Sequence, residues 1–145
     1  MLVGEYEHSV DVKGRIKIPA KFREKLGEKI WITKGLDECL FVYSNDEWNT
    51  LQAKLDQLLL VDPNSRGITR GFLGGAIECE FDKQGRVLIT ANLRKFAGIE
   101  KDVIVIGVSK RAEIWSKDRW EAYSNDEDLS LNAVAEKMAA HGIML

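Results

Sequence analysis

The sequence has little of the chemistry that disulfides, metal sites or membrane spans require. Its two cysteines, Cys39 and Cys79, form no CxxC motif, and its two histidines, His8 and His141, lie near opposite ends of the chain. A zinc site needs roughly three or four suitably spaced nitrogen or sulfur ligands, so we predict no metal and no cofactor. We expect both cysteines to be small buried hydrophobic residues in a reducing compartment. No apolar run approaches the ~18 residues of a membrane span and no secretory leader is recognisable, so we predict a cytoplasmic protein without a membrane partner.

The sequence also has no excess of positively charged residues over negatively charged ones. The 145 residues carry 21 Lys+Arg against 23 Asp+Glu, a formal net charge of −2, whereas nucleic-acid-binding domains often have an isoelectric point above ~9. The hydrophobic content of 45% and the charged content of 30% are those of a folded globular chain, which excludes bulk disorder. The total charge by itself therefore gives no sign of a nucleic-acid partner.

What the sequence does contain is an internal repeat. A shift of 71 residues places Gly4–Ile18 on Gly75–Ile89, and after one inserted residue Ser44–Trp48 falls on Ser116–Trp120. The two copies share a Gly, an Asp, a Gly-Arg pair and a Trp in the same order. We conclude that the chain is a tandem duplication of one structural unit.

Each unit is predicted to open with a β-hairpin. Residues 2–10 alternate between apolar and polar side chains as a half-buried strand does. The segment Asp11–Gly14 has the residue types of a tight turn, with Asp first and a Gly that can adopt a positive φ. The return strand, Arg15–Ile18, then directs its isoleucines to one face and its cations to the other. The same pattern recurs over Asp82–Ile89.

The residues after each hairpin predict a helix, two strands and a second helix. Gly27 and Gly98 stand where helices end, and Ser44 with Glu47 forms a capping box for the second helix of the first unit. We predict an α+β fold in which two similar units of some 70 residues pack around a pseudo-two-fold axis. The predicted boundaries are 1–61 for the first unit, 62–74 for a linker helix, 75–124 for the second unit and 125–145 for a C-terminal helix.

The positive charges are concentrated in the two hairpins and the segments that follow them. Residues 11–34 contain eight Lys/Arg and three Asp/Glu, a net charge of +5, and residues 82–101 contain five and two, a net charge of +3. The remainder of the chain therefore carries −10. Two equivalent cationic turns suit a repeated polyanion such as duplex DNA, and Arg is well suited to the O6 and N7 atoms of guanine. We expect four residues to organise the turns and orient the nearby arginines: Asp11, Gly14, Asp82 and Gly85.

At two motifs, Asp11-Val-Lys-Gly-Arg15 and Asp82-Lys-Gln-Gly-Arg86, the chain resembles the MraZ family of bacterial proteins. These proteins contain two tandem AbrB-type units, also called swapped-hairpin units, and the similarity covers essentially the whole chain. Further matching segments are Gly4–Tyr6, Pro19–Arg23, Gly35–Leu40, Leu93–Arg94, Val105–Val108 and Glu113–Ser116.

The resemblance implies a sequence-specific DNA-binding transcriptional regulator, in particular a repressor, of the division and cell-wall gene cluster. It implies binding to repeats in the protein's own promoter, a ring-shaped homo-oligomer and an association with the nucleoid, with no small-molecule substrate. By position in the motifs it also implies the DNA-binding residues: Lys13, Arg15, Lys17, Lys83, Gln84 and Arg86.

The second unit is less basic than the first at the equivalent positions. Gln84 stands at the position of Lys13, and Leu88 stands at the position of Lys17. We therefore expect the first unit to contribute more of the affinity for DNA, because affinity depends largely on neutralising phosphates.

Two other classes of function are weighed against the regulator. An antitoxin-like protein-interaction module would use a C-terminal segment to cover a partner, and the apolar side of a predicted helix at residues 129–141 gives it some support. Duplication argues against this module, because antitoxins of the type usually carry one unit per chain. Catalysis is disfavoured, because no set of nucleophile, base and orienting residue is visible and His8 aligns with Cys79.

Overall fold

The computed structural model describes residues 1–145 as an α+β fold of eight strands and six α-helices. The strands are β1 (Leu2–Ser9), β2 (Arg15–Lys17), β3 (Lys29–Lys34), β4 (Leu40–Ser44), β5 (Ile77–Glu80), β6 (Arg86–Leu88), β7 (Asp102–Ser109) and β8 (Ala112–Ser116). The helices are α1 (Ala20–Leu26), α2 (Asn45–Asp56), α3 (Pro63–Gly74), α4 (Ala91–Ala97), α5 (Lys117–Asn125) and α6 (Leu131–Ala140). A short 3-10 helix at Glu127–Leu129 precedes α6.

The six longer strands form one antiparallel sheet in the order β1-β7-β8-β4-β3-β5. Each repeat contributes an adjacent strand pair, β3 with β4 and β7 with β8, and the two pairs meet where β4 lies beside β8. The first strand of each repeat crosses to the other repeat, so that β1 pairs with β7 and β5 pairs with β3. The strand order is thus symmetric about the centre of the sheet, and the predicted pairing of two similar units is confirmed.

The two remaining strands, β2 and β6, pair only with each other. The hairpin predicted from the residue pattern does not form as a paired β1–β2 ladder, because only an isolated bridge from Val10, just after β1, to Ile16 connects them. The exchange agrees with the swapped-hairpin units that the family resemblance implies. Alternation of side chains indicates which face of a strand is buried, but it does not indicate the partner strand. Strands as short as β2 and β6, with three residues each, are only marginally stable by themselves. Pairing them with each other places one strand from each repeat over the common core.

The core is shared between the repeats. One cluster of 19 buried residues contains Ile16, Ile18 and Phe22 from the first repeat together with Val87 and Ile89 from the second. Neither repeat could bury these side chains without the other, which is the mutual burial expected of units this small.

The local signals for helix ends and for the cysteines agree with the structure. The Ser44 hydroxyl accepts a hydrogen bond from the Glu47 N–H, and the chain turns out of α1 at Gly27 with φ of +82°. Cys39 and Cys79 are buried and unpaired, and burial raises the pKa of the first thiol to about 12 and of the second to about 11. None of the helices has the length and apolar character needed to cross a bilayer.

Candidate nucleic-acid interface

The strands β2 and β6 form a two-stranded antiparallel ribbon, residues 15–17 and 86–88, which we call the basic ribbon. Arg15 lies opposite Leu88, Ile16 opposite Val87, and Lys17 opposite Arg86. Residues opposite each other in an antiparallel pair share a face. Since Ile16 and Val87 are buried in the core, the outer face is formed by the four other side chains: Arg15, Lys17, Arg86 and Leu88.

The turn before β2 is organised around the carboxylate of Asp11. Its Oδ1 accepts the backbone N–H groups of Lys13 and Arg15, each at 2.9 Å, and its Oδ2 accepts the Arg15 Nε–H at 2.6 Å. The hydrogen bond from the Arg15 backbone is the main reason that the pKa of Asp11 lies below its usual value. Gly14 completes the turn with φ of +86°, a conformation that favours glycine.

The turn before β6 repeats this geometry around Asp82. Its Oδ1 accepts the N–H groups of Gln84 and Arg86 at 2.9 Å, and its Oδ2 accepts the Arg86 Nε–H at 2.9 Å. The Arg86 backbone hydrogen bond is likewise the main cause of a lowered pKa for Asp82. The Asp11 Oδ2 also lies 3.4 Å from Arg86 Nη1, so the carboxylate of the first turn reaches the arginines of both turns.

The two aspartates hold Arg15 through Nε alone and Arg86 through Nε and, at a longer distance, Nη1, and they leave other N–H groups of each guanidinium available. Both Nη atoms of Arg15 and the Nη2 atom of Arg86 form no hydrogen bond within the chain. The side chains of these arginines are 30% and 26% exposed. Arginine side chains oriented in this way can donate paired hydrogen bonds to an oxyanion or to the acceptor edge of a base.

The remaining predicted site residues lie around the ribbon on exposed positions. Lys13 is in the first turn, Lys83 and Gln84 are in the second, and Lys17 is on the ribbon itself. The two motifs, which the sequence presents as separate cationic turns, meet on one surface in the fold. Each cross-strand pair on that surface takes one residue from each repeat. The larger contribution expected of the first repeat stays a prediction.

Two further arginines belong to this surface and were not predicted as site residues. Arg23 extends from α1, donates through Nη1 to the Ile18 carbonyl at 2.6 Å and lies against Gly85, the glycine of the other repeat's turn. Arg94 extends from α4, donates through Nε to the Ile89 carbonyl at 3.2 Å and lies against Gly14. We call Arg23 and Arg94 the cross-repeat arginines.

Backbone hydrogen bonds also join the two repeats at the places where the cross-repeat arginines lie. The N–H of Ile18 donates to the carbonyl of Gly85 at 3.1 Å, and the N–H of Ile89 donates to the carbonyl of Gly14 at 2.9 Å. The helix of each repeat is therefore tied to the turn of the other. The repeat alignment did contain a signal, because Arg23 and Arg94 occupy equivalent positions, but only the strand exchange brings each onto the opposite turn.

The contact between Gly85 and Arg23 predicts a specific cost of adding a methyl group. Gly85 has a φ of +75°, and a Cβ there would overlap the Arg23 guanidinium, which would have to move. The positive φ costs alanine about 1–2 kcal/mol, and displacement of Arg23 adds a cost that disappears once Arg23 is already replaced. By urea unfolding, we expect Gly85→Ala to cost less stability in the Arg23→Ala background than in the unaltered protein. Equal losses in the two backgrounds would mean that Arg23 does not pack on the turn.

Comparison with known proteins identifies relatives over the full length of both repeats. A family model described as "MraZ protein, putative antitoxin-like" matches the chain twice, over residues 1–71 and 72–141. The transcriptional regulator MraZ of Thermoanaerobacter sp. (strain X514) is 62% identical over 138 residues, covering 95% of this chain and 96% of its own. The transcriptional regulator MraZ of Acetivibrio thermocellus is 59% identical over 143 residues, covering 99% of this chain and 100% of its own. With the tandem match and these identities, the chain belongs to the MraZ family.

Proposed function

We propose that this protein is a DNA-binding transcriptional regulator and that the basic ribbon is its DNA-contacting element. The observation that carries the proposal is the convergence of both Asp-x-x-x-Arg turns on one exposed ribbon face, which bears Arg15, Lys17 and Arg86. The major groove of duplex DNA, about 12 Å wide, admits a two-stranded β-ribbon. Relatives named as transcriptional regulators support the same function.

The geometry of the turns suits base reading by the two arginines. The Nε–H groups of Arg15 and Arg86 are held by Asp11 and Asp82, which limits the rotamers that the guanidinium groups sample. A preoriented guanidinium loses less entropy when it donates two hydrogen bonds to the O6 and N7 atoms of guanine. The aspartates thereby act on the arginines and not on the nucleic acid, whose phosphates would repel them.

The proposal extends to the regulatory role that the family resemblance implies. The target is the division and cell-wall gene cluster, the binding sites are repeats in the protein's own promoter, and the outcome is repression. A ring-shaped homo-oligomer in the nucleoid would present several basic ribbons on one face. Such ribbons must meet grooves about one helical turn apart, so the repeats are expected at a spacing of ~10 base pairs.

The test is footprinting and fluorescence anisotropy on the DNA upstream of the protein's own gene, across a salt series. Each phosphate neutralised by a Lys or Arg releases counterions, so the logarithm of the association constant should fall linearly with log[salt], by about 0.9 per phosphate contact. We expect a protected region with regularly spaced repeats and a steep salt dependence. Binding that does not change with salt would contradict the electrostatic mechanism, and the absence of any protected region would contradict the regulator.

An antitoxin-like interaction module remains a second candidate because of the C-terminal helix. Helix α6 buries none of its residues, and Leu131 at its start is 88% exposed. A module of this kind would co-purify at physiological salt with a stoichiometric toxin-like partner and would not need the arginines of the basic ribbon. Affinity purification with and without Arg15→Ala distinguishes the two functions.

A further inference from the structure

The outer face of the basic ribbon carries one apolar side chain among its cations. Leu88 is 57% exposed and lies directly opposite Arg15. On β6 it lies two residues from Arg86, on the same face of the ribbon. In the first repeat the equivalent position is Lys17, which is also exposed. The leucine is thus the one position at which the outer face departs from a fully cationic surface.

Packing within the chain does not account for a leucine at this position. The core beneath the ribbon is filled by Ile16 and Val87, whereas Leu88 points to the opposite face and is not among the buried or partly buried core residues. A single exposed leucine is common on protein surfaces and has no significance alone. Its surroundings give it significance, because Arg15, Lys17 and Arg86 attract a polyanion to the very face on which the leucine is exposed.

The spacing of the ribbon places Leu88 within reach of a base next to one contacted by an arginine. Residues directly opposite in an antiparallel pair have Cβ atoms about 4.5–5.5 Å apart, and residues two apart on one strand are ~6.6 Å apart. Successive base pairs are ~3.4 Å apart along the helix axis. Leu88 lies beside both Arg15 and Arg86, so in a groove it would reach a base pair about one or two steps from those that the arginines contact.

We propose that Leu88 is a specificity-determining residue that packs against the 5-methyl group of a thymine in the major groove. This inference rests on the proposed function. The thymine methyl is the apolar group that distinguishes T·A pairs in the pattern of groups at the major-groove edge. A lysine at the same position can neutralise a phosphate, a contact that carries no sequence information, whereas a leucine can contact only the apolar part of a base.

The experiment compares the footprinted upstream duplex with the same duplex containing deoxyuridine in place of thymidine, which removes only the methyl groups. For the unaltered protein we expect about four-fold weaker binding to the deoxyuridine duplex for each contacted methyl, the equivalent of ~0.8 kcal/mol. Leu88→Ala is expected to bind both duplexes with equal affinity. The matched control is Leu36→Ala, which removes a leucine of the same exposure, 56%, outside the ribbon and should preserve the four-fold difference.

A second variant tests the same idea by restoring the equivalence of the repeats. Leu88→Lys is expected to lose discrimination between the two duplexes and to steepen the salt dependence by about one phosphate contact. Equal binding of both duplexes by the unaltered protein, or a four-fold difference that persists in Leu88→Ala, would overturn the role of Leu88 while DNA binding itself stands. A protein that binds neither duplex would instead overturn the proposed function.

Discussion

Replacing Arg15 and Arg86 together by alanine is expected to abolish sequence-specific binding to the upstream DNA. Arg15 has two Nη atoms and Arg86 one that form no hydrogen bond within the chain, and one bidentate contact to guanine is worth about 1–3 kcal/mol of discrimination. A single replacement should weaken specific binding by roughly 5- to 150-fold, and the double replacement by roughly 25- to 20,000-fold if the two contacts are independent. Truncation also removes the guanidinium partners of the Asp11 and Asp82 carboxylates beside the nucleic acid, which adds repulsion.

The fold is expected to survive this double replacement, because the core beneath the ribbon is unaffected. Ile16 and Val87 remain buried, and both arginines are partly exposed. The matched control is Arg70→Ala, which removes an exposed arginine from α3 that forms no hydrogen bond or ion pair in the structure. The dissociation constant by fluorescence anisotropy and the circular dichroism spectrum are the measurements. A double variant that is folded and binds as tightly as Arg70→Ala would exclude the basic ribbon as the interface.

Arg15→Lys separates charge from geometry at the same position. Lysine retains the positive charge but cannot donate the paired hydrogen bonds of a guanidinium. We expect non-specific affinity to be retained, while the preference for the upstream DNA over unrelated DNA falls by a factor close to that of Arg15→Ala. A lysine variant with full preference would indicate that Arg15 contacts phosphates only.

Replacing a cross-repeat arginine should impair the arginine of the other repeat. Arg23 lies on the turn of Gly85, which precedes Arg86, whereas Arg94 lies on the turn of Gly14, which precedes Arg15. Arg23→Ala is expected to weaken DNA binding about tenfold, corresponding to ~1.4 kcal/mol, because the turn that orients Arg86 loses its support. The loss should be small once Arg86 has been replaced by alanine, and should remain tenfold once Arg15 has been replaced.

A double-mutant cycle makes this crossed pattern measurable. The coupling energy between two replacements is the departure of the double variant from the sum of the single ones. We expect strong coupling of Arg23 with Arg86 and of Arg94 with Arg15, and weak coupling within each repeat. A general loss of stability would lower binding in every background alike and would show no such pattern. Stronger coupling within a repeat than between repeats would contradict the crossed support of the turns.

Much of the local structure could be predicted from the sequence because it depends on neighbouring residues. The turn geometry around Asp11 and Asp82 follows from side chains that accept N–H groups two and four residues ahead. The orientation of Arg15 and Lys17 away from the core follows from the alternation of side chains along a strand. The duplication and the segregation of charge were likewise visible without coordinates.

The partner of each strand could not be predicted from the local residue pattern, and only the resemblance to swapped-hairpin units implied an exchange. The sequence pattern is satisfied equally by β2 pairing with β1 and by β2 pairing with β6, since either arrangement buries Ile16. The exchange is favoured because it places residues of both repeats in one core, which neither repeat could form alone. For this reason the role of Arg23 and Arg94 stayed hidden, although their equivalence in the alignment was evident.

By itself, the sequence determined that this protein consists of two similar units and that each presents an Asp-x-x-x-Arg turn with cations on its outer face. These features arise from contacts over a few residues, so a short pattern is sufficient to specify them. Only the tertiary structure decided that the two turns form one surface, on which Arg15 faces Leu88 and Lys17 faces Arg86. The physical reason is that burial of apolar surface selects strand partners over the whole chain, and that choice brings together residues 69 and 73 positions apart.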